Sequence, residues 1–215
     1  MTEKNNFPDS VGLNGADCFL LQLDHLMWSS SKRRNVCTFV LTLDQRIDLE
    51  NLTRLLLTNS AYQWICGLRL KKGLPFTLAK WVFNDKVELA EINEHHLKNT
   101  NDVPDSLLAT DLNLKKQAAF KVDLVQLPDN TGSLIVFTWH HVLMDARGGE
   151  SFIRYLGSNG ASEPKEWVAR QTNRLPLKER ADIAQKMKQF LYDTSELPLL
   201  SLYQKTSIKP VLRYR

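Results

Sequence analysis

The chain has 215 residues, of which 43% are hydrophobic and 24% charged, with a net charge of +4. That is the composition of an ordinary globular domain, large enough for one substantial core, and it excludes a disordered, fibrous or collagen-like chain. Residues 163–215 hold 11 Lys or Arg against 6 Asp or Glu, leaving 17 against 18 elsewhere, so the basic surplus lies in the last quarter of the sequence. Its basic residues are interleaved with Glu and Asp rather than clustered with aromatics, which points to a solvated helix face rather than to nucleic acid. Attraction of an acidic partner, such as a carrier protein or a phosphorylated cofactor, is the weaker alternative.

Cys18, Cys37 and Cys66 are odd in number and far apart, with neither metal-ligand nor redox spacing. Together with an N-terminus that lacks an apolar leader and the absence of a membrane-length apolar run, they point to a reducing cytoplasm.

In chain order, residues 17–28 are too densely apolar for a loop and read as a helix or a buried strand. Ser29–Arg34 reads as a polar basic loop, and Asn35–Leu43 alternates like a strand. Asp48 suits the N-cap of a helix carrying Leu49, Leu52, Leu55 and Leu56. Beyond Ala61–Cys66 come strands near Leu68–Lys71, Phe76–Phe83 and Lys86–Ile92, with turns at Lys72-Gly73 and Asn84-Asp85. Residues 93–115 are polar and irregular, with a short helix after Pro104. Ala118–Leu127 and Ser133–His140 flank Pro128–Gly132, the pattern of a hairpin with a longer loop. Helix resumes at Glu150–Leu156, Gly157–Pro164 is a linker, and Leu177, Ala181, Ala184, Met187 and Leu191 mark an amphipathic helix. The last residues, 208–215, read as the start of a strand.

The most informative stretch is Leu134–Gly149, an apolar run ending in His140-His141 with Asp145 four residues on and Gly148-Gly149 beyond. Neighbouring side chains on a strand diverge, so one histidine can be packed while the other faces a cleft. Asp145 is close enough to fold back and orient the loop and its imidazoles. The plainer reading is a pair of buried histidines satisfied by backbone carbonyls, with Asp145 as the N-cap of the next helix. A metal site fits poorly, because adjacent strand histidines diverge and no Cys or further carboxylate stands at ligand spacing. His95-His96 lies in a polar stretch beside Glu91 and Glu94 and reads as surface. Ser151 lacks the surroundings of a nucleophile elbow.

His140-His141-Val142-Leu143-Met144-Asp145-Ala146 resembles the His-His-x-x-x-Asp-Gly motif of the condensation-domain superfamily of acyltransferases, which includes chloramphenicol acetyltransferase. The early Asp17-Cys-Phe-Leu-Leu segment and the Leu112–Leu124 stretch leading into the hairpin agree, so the similarity covers most of residues 15–157. The resemblance implies an α/β fold with a mixed, largely antiparallel sheet packed with helices. It further implies acyl transfer from a thioester, acyl-CoA or acyl-phosphopantetheine on a carrier protein, to a hydroxyl or amine, with no permanently bound cofactor and no metal. It assigns the general base to His141, structural roles to His140, Asp145 and Gly148, and an ion pair from Asp145 to an arginine, with Arg69 and Arg147 as candidates. Two features depart from the pattern. Ala146 replaces the glycine after the aspartate, for which Gly148 and Gly149 could compensate. The larger relatives have two similar lobes and roughly twice this length, and the Asp-Phe-Gly-Trp-Gly-like motif of their second lobe is missing. Residues 1–157 are thus expected to form a first lobe, and 158–215 a linker, helix and incipient strand leading toward a second lobe or another subunit. A non-catalytic binding module built on the same fold is the rival expectation.

Overall fold

A computed structural model of the chain describes residues 7–72, 79–84, 92–98, 102–108, 111–114, 117–128 and 131–158. Two sheets organise them. The smaller joins β1 (Ser10–Gly12), β4 (Lys80–Phe83) and β3 (Leu68–Lys71) in the order β1-β4-β3, antiparallel throughout. The larger has the order β2-β7-β6-β5, from β2 (Val36–Leu43), β7 (Ser133–His140), β6 (Phe120–Gln126) and β5 (Asn93–His96). Its pairs are antiparallel except β5 with β6, which run parallel, so the sheet is mixed and largely antiparallel.

The period-2 alternation of β6 and β7 separates two cores. Phe120, Val122 and Leu124 stand opposite Trp139, Phe137 and Ile135 in register, and all six enter the main core. Helices α2 (Leu49–Thr58), α3 (Ser60–Gly67) and α5 (Ala146–Gly157) close that face through Leu52, Leu56, Tyr62, Ile65, Phe152 and Leu156. On the opposite face Val125, Leu134 and Val136 pack with Leu107 of α4 (Asp105–Leu108). The hairpin between β6 and β7 requires Gly132: its φ is +158°, and a Cβ there would stand 2.3 Å from the Leu43 carbonyl oxygen at the end of β2.

Residues 17–28 form part of a helix, α1 (Gly15–Ser31), rather than a buried strand. A reciprocal cap decides this: Asn14 accepts from the Asp17 amide at 2.9 Å, and Asp17 accepts from the Asn14 amide at 3.0 Å. The helix runs on through Ser29, Ser30 and Ser31, where a loop was expected, because their hydroxyls bond back to the Leu26 and Met27 carbonyls instead of competing for the chain ahead. Lys32 then takes a left-handed conformation, φ 57°, and turns the chain back into β2. Asp48 caps α2 through the Asn51 amide, but Leu55 of the expected apolar stripe is 48% exposed. Ala61–Cys66, without an expected structure, is α3, capped by Asn59. Residues 93–96, expected to be irregular, pair with β6 as its parallel neighbour. Helix α5 begins at Ala146, four residues before the expected start. The expected strand at Lys86–Ile92, apart from Ile92 itself, and the elements expected over 159–215 lie outside the described residues.

Candidate functional site

The motif sits where β7 ends between its two neighbours. The His140 amide donates to the Ala119 carbonyl at 2.9 Å, and the His141 amide donates to the Asn35 carbonyl at 2.9 Å. The chain then turns sharply, with the Leu143 amide donating to the His140 carbonyl at 2.8 Å. His140 is the last strand residue and is fully buried; His141 is already in the turn and half-buried. The two imidazoles thus occupy different environments, but the turn as well as the strand pleat separates them.

His140 meets a polar group at each ring nitrogen, and neither is a carbonyl. Its Nδ1 accepts from the Val142 amide at 3.3 Å, which requires the neutral tautomer with hydrogen on Nε2. That Nε2 lies 3.1 Å from Asp24 Oδ1 on α1, at an angle short of full hydrogen-bond geometry. The same Oδ1 accepts the Asn35 amide at 2.9 Å, so two donors converge on one oxygen. Asp24 Oδ2 receives Arg34 at 3.0 Å, and Arg34 in turn bonds Asp111 at 3.0 Å and lies 4.1 Å from the centre of the Trp28 ring. Burial raises the Asp24 carboxyl pKa, but the polar contact of His140, the bond from the Asn35 amide and the charge of Arg34 outweigh it, leaving it below the ordinary carboxylate value.

Asp145 is exposed and caps α5: its Oδ1 accepts the Gly148 amide at 2.7 Å. The expected ion pair is not formed among the described residues. Arg69 donates instead to the carbonyls of Cys66 and Leu68, and Arg147 is exposed in the first turn of α5. The carboxylate has a partner already in the amide and positive end of the helix it caps, so no guanidinium is needed. Ala146, where the resemblance led to an expected glycine, is free of backbone strain, because it is exposed and opens α5 with ordinary helical backbone. Gly148 and Gly149 are helical too and do not supply loop flexibility. Gly149 serves a close approach: a Cβ there would lie 2.1 Å from Trp139 Cζ2. Trp139 is itself fixed by its indole N–H, which donates to the Met144 carbonyl at 3.0 Å.

Beneath the turn lies a cavity of about 30 Å³, lined by Asp17, Trp64, Trp81, Val142, Leu143 and Met144. It has room for a water, not for an acyl chain, and His141 is not in its lining. The second histidine pair is less free than its polar surroundings suggested. His95 is 36% exposed, with Nε2 3.2 Å from the fully buried Asp123, whereas His96 is 60% exposed. Among the described residues no group of three His, Cys, Asp or Glu converges to hold a metal ion.

Asp24, Arg34, Asn35 and Gly149 are thus site-forming residues to which sequence reasoning gave no role there or, for Gly149, a different one. The available signal was Asp24 itself, an acid in a helix otherwise dense in apolar residues, followed by a basic residue beyond the helix end.

No family model matches the chain, and no curated protein does. Solved structures do. The starter condensation domain of the rhizomide synthetase RzmA aligns with a TM-score of 0.53 at 12% identity, covering 69% of this chain and 36% of that one. The first condensation domain of the CDA synthetase gives 0.53 at 15%, covering 68% and 37%. The X-domain from teicoplanin biosynthesis, in its complex with OxyB, gives 0.55 at 19%, covering 90% and 41%. The chain therefore spans between 36% and 41% of the length of these structures. At such identities the likeness concerns the fold, and with the sheet order and the position of the motif it assigns this chain the condensation-domain fold, an α/β lobe of the chloramphenicol acetyltransferase-like type.

Proposed function

We propose that this chain is an acyltransferase lobe that moves an acyl group from a thioester, on coenzyme A or a carrier-protein phosphopantetheine, to a hydroxyl or amine. The observation that carries this reading is the position of His141 on this fold. It is a half-buried imidazole at the end of β7, its backbone tied to Asn35 and its neighbour His140 locked beneath it. His141 takes the proton of the acceptor as that group attacks the thioester carbonyl. The tetrahedral intermediate then collapses, the C–S bond breaks, and the departing thiolate receives the proton back. No covalent acyl-enzyme is needed, because the thioester is already activated and positioning of the two substrates supplies much of the acceleration. A tunnel holding the pantetheine arm would be completed by a second lobe or another subunit, which would also exclude water. A reducing, cytoplasmic setting suits the three free cysteines.

The test is acceptor-dependent release of thiol from acyl-CoA and acyl-pantetheine, with binding followed in parallel through the His141 ring resonances. His141→Ala should slow transfer by about 10²- to 10⁴-fold with the fold intact. The chain assayed alone should turn over poorly yet still shift His141 on adding acyl-pantetheine. Turnover by His141→Ala equal to wild type would overturn the assignment.

The second reading, a binding module without turnover, is favoured by the X-domain likeness, which extends over 90% of this chain in a structure containing OxyB. It requires that acyl-pantetheine leave the His141 resonances unmoved.

A further inference from the structure

We infer that Asp24 is the positioning residue of the His-His turn, holding the backbone on both sides of the His141 side chain through one carboxylate oxygen. The first route runs from Asp24 Oδ1 to the Asn35 amide at 2.9 Å, and from the Asn35 carbonyl to the His141 amide at 2.9 Å. The second runs from Asp24 Oδ1 to His140 Nε2 at 3.1 Å, and from His140 Nδ1 to the Val142 amide at 3.3 Å. The amides of residues 141 and 142 bracket the Cα that bears the His141 side chain, so both peptide planes next to it trace back to a single atom on α1. Two donors on one oxygen also account for the oblique approach of His140. The other oxygen is occupied by Arg34, itself held by Asp111 and stacked on Trp28. Arg34 therefore fixes the rotation of the carboxylate and keeps Oδ1 aimed at the turn. Asp24 is buried at 6% exposure, a costly place for a charge unless it is paired. Asp145 does not do this work, since its carboxylate is turned to the α5 amides.

The catalytic half of this inference rests on the acyl-transfer reading; the structural half does not. The experiment therefore has two arms on the intact chain. Amide hydrogen exchange is measured in wild type, Asp24→Ala and Asp24→Asn. The asparagine must turn its NH2 either toward Arg34 or toward Asn35 and His140, so it keeps at most one side of the arrangement. Exchange at His141 and Val142 should accelerate about tenfold or more in Asp24→Ala and by a smaller factor in Asp24→Asn, whose oxygen can still accept the Asn35 amide once Arg34 is lost, while Val122 and Val125 in β6 keep their protection. His140 should also lose its Nε2–H tautomer signature in nitrogen NMR. In the second arm, kcat for acyl transfer should fall about 10- to 100-fold with KM for the thioester nearly unchanged. If wild type transfers no acyl group and acyl-pantetheine leaves the His141 resonances unmoved but the exchange pattern holds, the functional reading fails and Asp24 remains the positioning residue. Unchanged exchange at both amides, or equal acceleration across β6, would overturn the inference. Should Asp24→Ala not fold, Asp24→Asn decides the matter.

Discussion

Replacing Gly149 by alanine probes how tightly the motif turn is held against α5. The added Cβ would lie 2.1, 2.5 and 2.7 Å from three atoms of the Trp139 ring, where carbon contacts settle near about 3.5–4.0 Å. Trp139 cannot swing away freely. It is 2% exposed, lies beside Phe120 with ring centres 6.4 Å apart, and donates its indole N–H to Met144. Overpacking of this kind costs about 1–3 kcal/mol, and loss of the indole bond adds about 1 kcal/mol. The better helix propensity of alanine returns about 1 kcal/mol, leaving a net loss of about 2 kcal/mol, or about 4–8 °C in Tm for a domain of this size. Gly148→Ala is the internal control: its Cβ would meet Asp145 Oδ1 at 3.1 Å and Met144 Cβ at 3.2 Å, overlaps that small shifts relieve, and the helix gain should roughly cancel them. Urea denaturation followed by tryptophan fluorescence reads both variants. A Gly149→Ala protein as stable as Gly148→Ala would show that the Trp139 contact does not hold the turn.

Other perturbations separate the roles within the motif. His140→Ala leaves Asp24 buried without its imidazole and opens a cavity, so it should cost about 2–4 kcal/mol in denaturant melts; a loss below about 0.5 kcal/mol would contradict the pairing of His140 with Asp24. Asp145→Asn should be almost neutral, because asparagine caps as well as aspartate, whereas Asp145→Ala should cost about 1 kcal/mol; a large effect of Asn would restore the ion-pair expectation. The Asp24 carboxyl is lowered in the folded state, so its contribution is complete above the unfolded value of about 3.9 and is lost as pH falls through the lower folded value. Acid melts of Asp24→Asn should lack that part of the decline, and parallel curves for the two proteins would refute it. Burial, with a further push from Asp145, raises the Cys37 thiol to about 11, so alkylation near pH 9 should be slow and should quicken in Asp145→Asn. Equal rates would place Asp145 away from Cys37.

Local chemistry made much of this protein legible in one dimension. Alternation in Asn35–Leu43 marks a strand because only one periodicity places those side chains on sheet faces, the turn residues Pro128–Gly132 mark Ala118–Leu127 and Ser133–His140 as hairpin arms, and Asp48 announces α2 because its carboxylate can reach the amide three residues on. The motif, its place at a strand end and the divergence of its histidines are likewise properties of adjacent residues. Residues 17–28 were ambiguous because a dense apolar run has no decisive period; the Asn14–Asp17 cap and burial against the core make it a helix. Residues 93–96 carry no strand pattern and are a strand only because β6 offers an open edge to pair with. Asp145 could reach either an arginine or the next helix, and the start of α5 at Ala146 decided for the helix. The partnership of Asp24 with His140 joins α1 to the end of β7, and no spacing rule connects them. Only the folding of α1 against the sheet brings a carboxylate to that imidazole, because burial makes an unpaired charge too costly to leave and so couples residues that the chain itself keeps far apart.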